Sequence, residues 1–196
     1  HHHTLKGTSM YILEFDGLFR GMEGGANCTS KCGFMCYGWL IRKAGRIIAR
    51  GHGTYLRSDD ATSNVAEYLA LIEGLEALMD MGVVKERILI IGDSKTVINQ
   101  MKGQSTANVD RTKKLSGRAK RITKRFKSID YLWVPRRENH AADRLSRRAL
   151  RQFKQDPRLY SYAMSYLDTE FKKHKKNPPL YPILDLRIMQ PRNAQV

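Results

Sequence analysis

Acidic residues are scarce in this chain: 19 Asp and Glu stand against 35 Lys and Arg, a formal net charge of +16. An excess of that size speaks to partners rather than to fold, and it makes a polyanion the natural partner. An anionic membrane surface would fit on charge alone, but a membrane-surface helix pairs its basic face with exposed bulky apolar residues. Long apolar runs are missing as well. None approaches the ~20 residues a spanning helix needs, and no secretory signal pattern follows Met10. An intracellular protein that works away from membranes is expected. Cysteine is limited to Cys28, Cys32 and Cys36, clustered in "CTSKCGFMC". A closed zinc site needs four ligands, and only His52 lies near enough in sequence to join them. An odd cysteine count without a signal peptide predicts reduced thiols, with Cys36 a small buried hydrophobe. Finally, no Gly/Ser linker splits the first 150 residues, and nothing repeats internally.

What is present reads as one domain with some excess, long enough for a core without disulfide or metal staples. Residues 1–9 begin His-His-His and read as a tag and linker ahead of Met10, leaving His52, His140 and His174. Residues 11–15 are a β-rich run ending on Asp16-Gly17. After a Gly-rich loop over 18–31, residues 34–41 and 46–55 are strand-like, and Lys43-Ala44-Gly45 between them reads as a hairpin turn. Val65, Leu69, Ile72, Leu75 and Met79 then follow helical spacing until Gly82 stops the helix. Residues 87–92 form a buried-type strand, 95–101 a short helix, 109–127 a longer one and 131–134 a last strand; Asn139 caps a helix to about Phe153. The order βββαβααβα predicts an α/β fold, a mixed sheet covered by helices.

The helix over 109–127 is the most basic part of the chain. Residues 111–127 carry nine Lys or Arg and no acid, while Leu115, Ala119, Ile122 and Phe126 recur at helical spacing. That apolar stripe is narrow enough to face the core, leaving a cationic outer face for nucleic acid.

Four acids fall at ends of elements. Asp16 ends the first strand and Asp93 the fourth, and Glu67 and Asp143 sit in the first turns of two helices. Singly, each has an ordinary explanation: acids favour the positive end of the helix dipole and start turns after strands. Ligands in open α/β sheets bind beyond the carboxyl ends of strands, so Asp16 and Asp93 share a site if their strands are parallel neighbours.

The words around these acids are "EFDG" at 14–17, "TSNVAEYLALIEGL" at 62–75, "GDSKTVINQMKG" at 92–103 and "VPRRENHAADRLSRRA" at 135–149. In order and spacing this set resembles the four acidic motifs of the type 1 ribonuclease H family, over roughly residues 10–152. The resemblance implies a ribonuclease H-like fold: a five-stranded mixed sheet, three antiparallel strands and then two parallel ones, flanked by helices. A catalytic domain at 10–153 would be followed by a basic C-terminal extension at 154–196. The implied activity is an endonuclease that cuts the RNA strand of RNA/DNA hybrids using two Mg²⁺ or Mn²⁺ ions, with Asp16, Glu67, Asp93 and Asp143 as catalytic metal ligands. Hard divalent cations take oxygen donors, and carboxylates crowded together repel one another unless cations are bound.

The resemblance also places Gly17 and Asn64 against the substrate, Asn64 having an N-cap as its alternative role. Lys113, Lys114, Arg118 and Arg121 would grip the DNA strand from the basic helix. A monomer acting on hybrid is expected, with the extension available to a protein partner. Three features depart from the family pattern. The loop after Asp16 is expanded and carries the extra cysteines; the loop before the last acid is the short "VPRREN", without the mobile histidine of some members; and Arg137 stands where relatives often have glutamate. His140 reads as a surface residue. Other readings are a nuclease-dead binding module on the same fold, a DNA-acting resolvase- or integrase-like nuclease, and a proofreading exonuclease. The last would carry a second acid just after Asp16, where Gly17 and Leu18 stand. Beyond Phe153, Leu159, Tyr162, Met164, Tyr166 and Phe171 suit a further helix, and "KKHKKNPPLYP" is basic and then broken by proline.

Overall fold

The computed structural model describes residues 10–21, 32–59, 61–173 and 178–189. Strands β1 (Met10–Gly21), β2 (Gly33–Lys43) and β3 (Arg46–Arg57) form an antiparallel meander. Helix α1 (Ser63–Asp80) leads to β4 (Arg87–Gly92), which pairs parallel with β1. Helices α2 (Lys95–Met101) and α3 (Asp110–Thr123) precede β5 (Ser128–Trp133), parallel to β4. A 3-10 turn at Arg136–Glu138 opens into α4 (His140–Gln155), followed by α5 (Pro157–Lys172) and β6 (Tyr181–Met189). The sheet order is β5-β4-β1-β2-β3-β6.

Side chains alternate across the sheet. Leu13, Phe15, Trp39 and Ile41 pack with Leu69, Ile72 and Leu75 of α1, and α3 adds Leu115 and Ala119 to this main core. Leu40 points the other way and meets Ala142 and Leu145 of α4. A separate cluster joins Phe34 and Cys36 of β2 to Ala149 and Phe153 of α4 and Ala163 and Leu167 of α5.

The sheet has six strands where the family resemblance predicted five. The extra strand, β6, covers the edge of β3, with Tyr37 donating to Asp185 at 2.6 Å and Arg57 Nε to the Pro178 carbonyl at 2.9 Å. Pro182 is tolerated because β6 is an edge strand whose register slips near it, between Thr54 and Tyr55 of β3. The first strand also runs past Asp16 to Gly21: its parallel pairing with β4 stops at Glu14–Ile91, but its antiparallel pairing with β2 continues to Gly33. Asp16 therefore lies mid-strand, just beyond the parallel ladder. The rest of the expected Gly-rich loop, 22–31, lies outside the described residues. The basic helix stops at Thr123, four residues short of expectation, and β5 begins at Ser128, three residues early.

Among the described residues, Cys32, Cys36 and His52 form no metal group. Cys36 is a free buried thiol 3.4 Å from the Thr54 hydroxyl, and burial pushes its pKa up to about 11. Cys32 is disulfide-bonded, against the expectation of reduced thiols; Cys28 lies outside the described residues. His52 is buried with Nε2 2.8 Å from Gln152 of α4.

Candidate active site

Two close approaches bring the acids together. A Cβ on Gly17 would lie 2.2 Å from the Ala66 carbonyl carbon and 2.5 Å from Glu67 N, so only glycine lets β1 run against the start of α1. On the opposite face, a Cβ on Gly38 would lie 2.6 Å from Ser146 N of α4. Gly38 pairs with Asp16 across the β1–β2 ladder. Asp16 is thus held between the N-terminal turns of α1 and α4.

Asp16, Glu67 and Asp93 each offer a carboxylate oxygen within 4.8 Å of the others, the one such group among the described residues. Asp93 follows the last residue of β4; Trp133 Nε1 donates to its carbonyl at 2.9 Å, fixing the backbone where β4 hands over to α2. Glu67 is buried and lies past the first turn of α1, which holds no acid, so the dipole explanation does not apply to it. Helix α1 is capped by Thr62, whose hydroxyl accepts from Val65 N at 3.3 Å, and Asn64 is therefore not the N-cap.

Burial, followed by the charges of Asp93 and Asp143, pushes the Asp16 pKa up to about 7, opposed by a hydrogen bond from Ser146. Burial and then the charges of Asp16 and Asp93 hold Glu67 well above the usual carboxylate range. Both carboxyls are therefore biased toward the protonated form, each by burial first and by its acidic neighbours second. The second oxygen of Glu67 is buried with no hydrogen-bond partner among the described residues. A buried, unpartnered carboxylate oxygen facing two further acids is the donor arrangement a hard divalent cation satisfies.

Asp143 lies in the first turn of α4, as expected, but outside the group of three. Its carboxylate accepts from Arg147 Nε at 3.0 Å and Arg136 at 3.4 Å.

Two neighbours of the acids escaped sequence reasoning. Asn139 is the N-cap residue of α4, as expected, but makes no side-chain cap bond; its Nδ2 donates to the Phe15 carbonyl at 2.9 Å and to Asp93 Oδ2 at 3.2 Å, tying α4 to β1 and β4. Ser146 is fully buried, 3.0 Å from Asp16 Oδ2 and 2.9 Å from the Asp143 carbonyl. A serine in the otherwise apolar series Ala142, Leu145, Ala149 and Phe153 was the available signal.

Of the other expected residues, Gly17 packs on the α1 backbone and Asn64 lines an open cavity of about 320 Å³ with Thr96, Gln100, Asn108 and Arg111. On α3, Lys113, Lys114 and Arg121 are exposed, whereas Arg118 is engaged by Glu76 of α1. His140 is exposed.

Gly17→Ala is expected to force β1 off α1. The overpacking should cost about 1–3 kcal/mol, lowering Tm by roughly 5 °C, and should separate Glu67 from Asp16. An alanine variant with unchanged Tm would show that the two elements can part freely.

Residues 14–149 match the family model described as reverse transcriptase-like. The chain is 32% identical over 139 residues to the bifunctional protein Rv2228c of Mycobacterium tuberculosis, covering 71% of this chain and 35% of that protein. It is 36% identical over 137 residues to ribonuclease HI of Halobacterium salinarum, covering 69% of this chain and 62% of that enzyme. The match thus spans about a third of the mycobacterial relative and under two thirds of the halobacterial one. Among solved structures, the N-terminal ribonuclease H domain of Rv2228c superposes with a TM-score of 0.62 at 30% identity, covering 75% of this chain and 97% of that one. The halobacterial ribonuclease H1 gives 0.61 at 33%, covering 73% and 98%. LC11-RNase H1, isolated from compost and solved in complex with an RNA/DNA hybrid, gives 0.62 at 25%, covering 72% and 97%. With its four acidic motifs in order on this sheet, the chain belongs to the type 1 ribonuclease H family.

Proposed function

We propose that this chain is a divalent-cation-dependent endoribonuclease that cuts the RNA strand of RNA/DNA hybrids at the Asp16–Glu67–Asp93 cluster. The observation that carries this reading is the convergence of three carboxylates within 4.8 Å, one with a buried unpartnered oxygen, in a chain of net charge +16. Asp16, Glu67 and Asp93 would hold the cations, Mg²⁺ or Mn²⁺, and Asp143 would complete the set on turning from Arg136 and Arg147. A pair of such ions supplies a nucleophilic water near neutral pH and stabilises charge on the leaving oxygen. Asn139 holds Asp93 in place, and Ser146 does the same for Asp16.

Hybrid recognition rests on groove shape, 2′-hydroxyls and phosphates, so little sequence preference is expected. Asn64, three residues before Glu67 and in a cavity lined by Thr96, Gln100, Asn108 and Arg111, suits contact with the nucleic-acid backbone or groove. Lys113, Lys114 and Arg121 present the cationic face of α3. Their joint replacement by Gln should weaken hybrid binding and flatten the log–log salt dependence by about 2 to 3. An unchanged slope would place the binding surface elsewhere.

The experiment that tests the function offers labelled hybrid, duplex RNA, duplex DNA and single strands to the protein with Mg²⁺, Mn²⁺ or EDTA. Cutting confined to the hybrid's RNA strand and abolished by EDTA is expected. Binding without cutting under every cation would indicate a nuclease-dead module, and cutting of DNA alone a resolvase-like enzyme.

A further inference from the structure

Helix α4 carries a second cationic surface, on the sheet face opposite α1 and α3. Arg144, Arg147, Arg148, Arg151 and Lys154 are all exposed and recur at intervals of three and four. Ala142, Leu145, Ser146, Ala149 and Phe153 are the buried positions of the same helix. At the helical period the five cations fill one arc of the surface, and the buried residues fill the arc facing the sheet. Arg136 and Arg137, exposed in the turn before α4, extend this stripe toward the acid cluster.

The arrangement is self-repulsive. Arg144 and Arg148, like Arg147 and Arg151, are like charges at i,i+4, a spacing that weakens a helix unless counter-charge is supplied. Arg136 and Arg147 both use Asp143 for that purpose. Arg144, Arg148, Arg151 and Lys154 form no ion pair among the described residues. Arg144 to Lys154 spans about 15 Å of helix, matching the axial rise of about four nucleotides of one strand. None of the exposed residues on this face is apolar, which is unlike a membrane-surface helix.

We propose that the outward face of α4 is a second nucleic-acid-binding surface, gripping the phosphate backbone of the stretch that flanks the segment in the active site. That the flanking stretch belongs to a hybrid substrate rests on the proposed function; that the face binds nucleic acid is tested without cleavage.

The test compares wild type with a variant carrying Arg144→Gln, Arg148→Gln, Arg151→Gln and Lys154→Gln. Arg136 and Arg147 are kept because they touch Asp143. A charge-matched control carries Lys43→Gln, Arg46→Gln, Lys85→Gln and Arg87→Gln, at the other end of the strands. Binding to a hybrid of about three helical turns is titrated in EDTA across salt concentrations. The α4 variant should bind at least about tenfold more weakly near 0.1 M salt, with its log–log slope flattened by about 3, while the control stays near wild type. Equal losses in both variants would reduce the effect to net charge and overturn the proposal. So would an unchanged slope in the α4 variant, including the case in which that variant instead loses binding to vesicles of anionic lipid. Failure of the wild type to cut hybrid when Mg²⁺ is added would count against the proposed function and leave this outcome readable.

Discussion

Asp93→Asn is expected to leave the chain folded and able to bind hybrid, while cleavage of the RNA strand falls by at least about a thousandfold. Folding should survive because the position is held from outside the carboxylate's charge. Its carbonyl accepts from Trp133 Nε1, and the Asn139 amide donates to Oδ2, an oxygen an asparagine can still offer. The surrounding strand is secured by Ile88 and Ile90, both buried in the main core. What the substitution removes is one negative charge from the three carboxylates lying within 4.8 Å. Circular dichroism and hybrid binding in EDTA should match wild type while the cleavage rate collapses. Loss of fold would make Asp93 a structural acid, and retained cleavage would remove it from the site.

Asp16→Asn should abolish cleavage too, and it should also stabilise the cation-free protein in a pH-dependent way. The folded-state pKa of Asp16, about 7, lies above its ordinary value of 3.8. Well below pH 3.8, folded and unfolded chains both hold the proton, and the buried carboxyl carries no penalty. As pH rises toward 7 the unfolded chain releases that proton while the folded chain retains it, so stability is lost across this window. Glu67, also raised, acts in the same direction. The loss attributable to Asp16 is on the order of a few kcal/mol, or roughly 10 °C in Tm. Measured in EDTA, the Tm advantage of Asp16→Asn over wild type should be small near pH 4, grow toward pH 8 and shrink when Mg²⁺ is added to the wild type. An advantage independent of pH would mean that Asp16 is ionised in the fold throughout.

The parts of the molecule most legible in the sequence are those with strong periodicity and local stop signals. Arg87–Gly92 and Lys95–Met101 fall where the apolar run and its polar successor place them, and Gly82 closes α1 within two residues of its end. The acid cluster was readable as an ordered set of motifs, and three of the four acids converge in space. Asp143 stays outside that group, its carboxylate paired with Arg136 and Arg147; both arginines stand in the same motif, but which partner a surface carboxylate faces is set by side-chain orientation that the sequence does not show.

The misread details are non-local. β1 runs through Asp16 because β2 offers partners as far as Gly33, a fact about another segment. β6 was missed because a proline-containing strand at the sheet edge has neither clean alternation nor a full apolar run; its partner lies more than a hundred residues earlier. Asn139 and Ser146 were invisible as site residues for the same reason, since their partners Phe15, Asp93 and Asp16 are distant in sequence. Gly17 reads in the family pattern as a substrate contact, but its most evident physical constraint is the α1 backbone against which it packs.

The most direct measurement follows both strands of a hybrid, separately end-labelled, incubated with wild type and Asp93→Asn side by side in Mg²⁺ and in EDTA. Internal cutting of the RNA strand by the wild type in Mg²⁺, with the DNA strand intact and no cutting in EDTA or by the variant, is the predicted result. Cutting that persists in EDTA, or at wild-type rate in the variant, would contradict a cation-dependent carboxylate centre at Asp16, Glu67 and Asp93.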